Sequence, residues 1–90
     1  MNDKNVEEFS NVCKELIELY TKKNHDYGNS FGKTYANLGI ISAVTRISDK
    51  YNRLCNLVRD TNQLVSTETV EDTLMDLASY AIMTIMEYRR

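Results

Sequence analysis

Between Ile40 and Val58 the apolar residues fall at Ile40, Val44, Ile47, Tyr51, Leu54 and Val58, separated alternately by four and three positions. That spacing keeps six side chains on one side of a helix turning 3.6 residues at a time. It cannot fall on one face of a strand, whose side chains alternate. The chain contains no proline to interrupt such a helix, and no convincing period-two pattern competes with it. The fold class that follows is all-α.

Three main helices are expected. The first runs from about Val6 to Asn24, with Asn5 placed to cap it and Glu8 completing a capping box. Val6, Phe9, Cys13, Leu16 and Tyr20 form its stripe, widened by Val12 and Ile17. The second covers Ile40 to Arg59, after Gly39. The third starts after Thr69, where Thr69 and Asp72 repeat the capping signal, and runs to the C-terminus. It carries two apolar stripes: Leu74, Leu77, Ala81, Ile85 and Tyr88, then Met75, Ile82 and Met86.

Ninety residues make a single domain, 1–90, only just able to bury a core. Three helices cover one of those two stripes, so the other is expected to meet a second subunit. The expected architecture is a small antiparallel helical bundle assembling as a homo-oligomer, a dimer or higher. The alternative is a fourth, short helix that folds over the open face.

With 42% hydrophobic and 27% charged residues, the composition is that of a soluble globular protein. No apolar run approaches the ~20 residues of a membrane helix, and the N-terminus lacks the apolar segment of a secretory signal. A cytoplasmic protein is expected, in the host cytoplasm if phage-encoded. A net charge of −2 argues against coating nucleic acid by phosphate neutralisation, but leaves room for a small anionic ligand on a local basic cluster. Cys13 and Cys55 match no metal or redox spacing, and one histidine is too few for a His/Cys zinc site.

All three glycines fall in "HDYGNSFGKTYANLG", interleaved with His25, Tyr27, Phe31 and Tyr35. This segment is either a long connection pinned by its aromatics or a loop that stacks on a base. The charges cluster opposite the stripes. Glu15 and Glu18 fall there on the first helix, with Lys22 nearby; Asp49, with Arg46, Lys50 and Arg53 on its flank, occupies the second. On the third, Asp72 and Asp76 share one line with Ser79 and Met83. Each cluster reads as a solvated face. Asp72 and Asp76, one turn apart beside apolar residues, can alternatively supply oxygen ligands to one Mg2+ ion, with Lys50 and Arg53 neutralising phosphate.

"KNHDYGNSF", "RISDKYNRL" and "EDTLMDLASYAIM" closely resemble the signature blocks of the phage and bacterial nucleotide modification associated domain family, the first of that series. More distantly, that family is similar to the all-α nucleoside triphosphate pyrophosphohydrolases of the MazG and dimeric dUTPase type. Those enzymes hold Mg2+ with an ExxE pair and a later ExxD pair, and release a nucleoside monophosphate and pyrophosphate. Glu15 and Glu18 match the first pair, whereas Asp72 and Asp76 are spaced DxxxD and Leu74 stands three residues after Glu71. The resemblance implies Glu15, Glu18, Asp72 and Asp76 as Mg2+ ligands. Asp49 would be a further ligand or would orient water, and Lys50 and Arg53 would hold phosphate. His25, Asp26, Tyr27, Asn29, Ser30 and Phe31 would close on base and sugar, at a site between subunits or between loop and bundle.

Three functions fit. The first is Mg2+-dependent pyrophosphohydrolysis of (deoxy)nucleotides by a phage-type protein. The second is a non-catalytic sponge that sequesters cyclic or modified nucleotide signals of bacterial defence. The third is a helical oligomer without ligand.

Overall fold

Two left-handed glycines, Gly28 at φ 66° and Gly39 at φ 79°, break what is otherwise nearly continuous helix between Lys4 and Arg59. Such φ values carry no Cβ penalty in glycine and a clear one elsewhere. The computed structural model describes residues 3–59 and 67–90. Those residues form four helices with no strand among them: α1 (Lys4–Tyr27), α2 (Ser30–Leu38), α3 (Ile40–Arg59) and α4 (Thr67–Tyr88). No helix among them is long and apolar enough to cross a membrane.

The expected boundaries shift in three places. Asp3, not Asn5, caps α1: its carboxylate accepts from the Asn5 N–H at 2.8 Å, and the helix runs on to Tyr27. Thr69 lies inside α4, where its carbonyl accepts from the Thr73 hydroxyl at 2.9 Å. The supposed loop contains α2. Asn29 caps it by accepting from the Gly32 N–H at 3.1 Å, and Phe31, Thr34 and Tyr35 turn inward. A Cβ on Gly32 would come within 2.5 Å of the Asn29 side chain, so the residue that disguises α2 as a loop is the one its cap requires.

α3 and α4 run antiparallel: Lys50 meets Asp76, while Arg46, a turn earlier, shares a cleft with Ser79 and Tyr80, a turn later. α1 crosses α4 instead of lying along it. Cys13 and Ile17 share a groove with Ile82 and Met86, whereas Glu15 and Lys22 share a recess with Glu71 and Met75. The antiparallel expectation therefore holds for α3 and α4 and not for α1.

The stripes are turned from where periodicity puts them. On α3 the inward residues are Ala43, Ile47, Lys50, Leu54 and Leu57, and Ile40, Val44, Tyr51 and Val58 remain exposed. On α4 the supposedly outward line divides: Asp72 is exposed, whereas Asp76, Ser79 and Met83 face the protein, and Leu74, Ile82, Ile85 and Tyr88 face solvent. Among the described residues the buried apolar side chains are Leu16, Ala43 and Leu57. The radius of gyration is 15.0 Å, against about 12 Å for a compact chain of this length. α2 does not cover the open face of α4.

Candidate functional site

Three helices converge on one carboxylate. Asp76 of α4 accepts from the Lys23 ammonium of α1 at 2.9 Å on Oδ1, and its Oδ2 lies 3.2 Å from the Lys50 ammonium of α3. The Asp76 and Lys50 side chains are 27% and 29% exposed. Burial is the largest single influence on Asp76 and pushes its pKa up. Hydrogen bonds from Lys23 and Lys50, with their charges, together outweigh burial and hold the carboxyl below its ordinary value.

The consequence for stability has a definite sign. A depressed folded-state pKa contributes stability that is complete above the ordinary carboxylate value and is lost as pH falls through the lowered one. Replacing Asp76 with asparagine is therefore expected to flatten the acid limb of stability, by about 1 kcal/mol after solvent screening. Urea midpoints of both proteins, followed from pH 6 down to about pH 2, provide the check. Parallel curves would show that the two lysines do not stabilise the ionised carboxylate.

Beside Asp76 lies a cleft of about 380 Å³, lined by residues of all four helices and of the α1–α2 turn. Lys23 and Arg46 bring positive charge to it, and Asn24 and Asn29 bring amides. Phe31 of α2 and Tyr80 of α4 stack at one wall, with ring centroids 5.9 Å apart and planes inclined by 28°. Tyr20 and Met83 complete the apolar side. The Gly28 corner and the Asn29 cap aim Phe31 at Tyr80, since together they set where α2 begins.

Of the residues expected to contact a nucleotide, Asn29, Ser30 and Phe31 line this cleft. His25 and Asp26 do not; they point to solvent, 3.4 Å from each other. The side chain of Tyr27 lies outside the described residues. Lys50 reaches the site only through Asp76, and Asp49 and Arg53 are exposed on α3 away from the cleft. The sequence expectation omits Tyr20, Lys23, Asn24 and Tyr80, and it gives Arg46 no role. The available signal was helical: Tyr20 and Lys23 are one turn apart, as are Asp76 and Tyr80.

The four expected Mg2+ ligands divide. Glu15, Glu18 and Asp72 border one recess with Glu71 and Lys22, while Asp76 lies at the cleft between its two lysines. Hard carboxylate oxygens suit Mg2+ chemically. Among the described residues, however, no three Asp, Glu, His or Cys side chains come together closely enough to hold an ion.

Residues 23–88 match the family described as nucleotide modification associated domain 1, and the chain belongs to that family. No curated protein and no solved structure matches it at a significant level.

Proposed function

We propose that this member of the nucleotide modification associated domain 1 family binds a nucleotide in the cleft between α1, α2 and α4, and captures it without turnover. The observation that carries the reading is the pairing of opposite chemistries in one cleft. The stacked Phe31 and Tyr80 rings offer a platform for a base, and Lys23 and Arg46 offer charge for a phosphate. Base–aromatic stacking contributes about 1–3 kcal/mol, and a cation–phosphate hydrogen bond about 1.5–3 kcal/mol. A volume of about 380 Å³ lies at the small end of ligand pockets, which suits one nucleotide unit, free or within a cyclic signal. Asn24 and Asn29 can read base edges through donor and acceptor together.

Capture is favoured over hydrolysis because the carboxylate nearest the cleft, Asp76, already neutralises two lysines. Mg2+-dependent pyrophosphohydrolysis is the second reading. It is favoured by the ExxE pair Glu15 and Glu18 lying across one recess from Glu71 and Asp72. All four of these side chains are exposed and free to turn toward an ion.

One incubation separates the two readings. The purified chain is mixed with Mg2+ and a panel of nucleoside triphosphates, deoxynucleotides and cyclic nucleotides, then filtered, and the retained protein is heated. Capture predicts a ligand missing from the filtrate, released intact on heating, and held as well with a chelator present. A monophosphate and pyrophosphate in the filtrate, abolished by Asp72→Asn, would reject capture in favour of hydrolysis.

A further inference from the structure

We propose that two copies of this chain pair through antiparallel α1 helices on a two-fold axis beside Cys13, each covering the groove between the other's α1 and α4. The spacing of α1 carries this. Val6, Phe9, Cys13, Ile17 and Tyr20 follow one another at intervals of three, four, four and three. At 100° per residue they fall within an arc of about 80°, and the set reads the same from either end about Cys13. In a two-fold antiparallel pair, Phe9 then meets the second copy's Ile17, Val6 meets its Tyr20, and Cys13 meets its own counterpart. Every apolar residue of the seam finds an apolar residue opposite.

Within one chain that seam is open. Val6, Phe9 and Ile17 are 64%, 74% and 64% exposed. Alongside runs a groove of about 360 Å³ lined by Cys13, Leu16, Ile17, Ile82 and Met86, among others. The amount of open surface identifies the occupant. The chain exposes 7249 Å², whereas a compact monomer of 10.4 kDa exposes about 5,400 Å². The excess of roughly 1,800 Å² is well above the ~800 Å² per partner of an ordinary specific complex. An interface of ordinary size therefore fits within the excess, and a folded second copy brings both the matching seam and a groove of its own, which a short peptide does not.

Tyr20 lines both the groove and the nucleotide cleft, so pairing sets the second copy's Val6 against one wall of the cleft. This last step rests on the nucleotide reading; the pairing does not.

Sedimentation velocity of the nucleotide-free protein at micromolar concentration tests the pairing, together with a short bis-maleimide applied to the Cys55→Ser variant. A dimer joined through Cys13 is expected. Phe9→Glu places a charge in both halves of the symmetric seam and is expected to weaken association at least about 100-fold, with helical circular dichroism retained. A monomer at these concentrations overturns the proposal. So does a dimer that the reagent fails to join at Cys13, a readout that needs no Phe9 variant to fold. A joined dimer that takes up no nucleotide would overturn the cleft reading and the coupling, and leave the pairing supported.

Discussion

Arg46→Ala is expected to weaken nucleotide binding roughly 10- to 100-fold and to leave the melting temperature nearly unchanged. The range follows from the loss of one charged hydrogen bond, about 1.5–3 kcal/mol. The fold is spared because the side chain is exposed and makes no ion pair among the described residues. Lysine at the same position keeps the charge without the planar fork, so Arg46→Lys should recover part of the affinity. Calorimetric titration of all three proteins with one captured nucleotide, beside a thermal melt of each, makes the comparison. Full affinity in a folded Arg46→Ala protein would remove the phosphate from this end of the cleft.

Leu16→Ala carries the largest expected loss of stability. It removes the buried large side chain of α1, a helix that otherwise crosses α4 with its apolar residues half-buried or exposed. Core leucine truncations cost about 2–5 kcal/mol, and a domain this small moves by about 4–8 °C per kcal/mol. A fall of ten degrees or more in the melting temperature is therefore expected, with α1 detaching first. Leu74→Ala, on the exposed side of α4, serves as the control and should stay within about 0.5 kcal/mol. Equal losses at both positions would mean that α1 is not held by Leu16.

The helices were largely legible because their signals are local. α3 begins and ends where Gly39 and the run to Arg59 put it, and a Gly/aromatic segment did prove to carry part of the cleft through Asn29, Ser30 and Phe31. What periodicity could not supply was rotation. It finds the apolar side of α4 and assumes that side is inward, yet Asp76 faces in and Leu74, Ile85 and Tyr88 face out. Two lysines from other helices make the inward carboxylate tolerable, and such partners are invisible when each helix is read alone. The candidate Mg2+ ligands show the same limit of reading each helix alone. Asp72 and Asp76 are one turn apart, and the crossing of α1 places Asp72 with Glu15 and Glu18 and Asp76 with Lys23. α2 escaped because Gly32 lowers its helical propensity, and only the contact with Asn29 reveals why glycine is there.

The position of Asp76 has a further consequence. Its carboxylate oxygens already occupy the places beside Lys23 and Lys50 that an incoming anion would take. Any anion settling at Lys23 must either share that ammonium or displace a resident competitor present at very high local concentration. Chloride or acetate, with one charge and no wider set of contacts, loses that contest to a carboxylate held in place by its own helix. A nucleotide phosphate, on the proposed reading, would bring more oxygens and more charge, reach Arg46 across the cleft as well, and come with a base that can rest on Phe31 and Tyr80. If the cleft takes a nucleotide as proposed, the built-in acid would favour an anion with an aromatic group attached, and the residue that ties three helices together would also filter what the cleft admits.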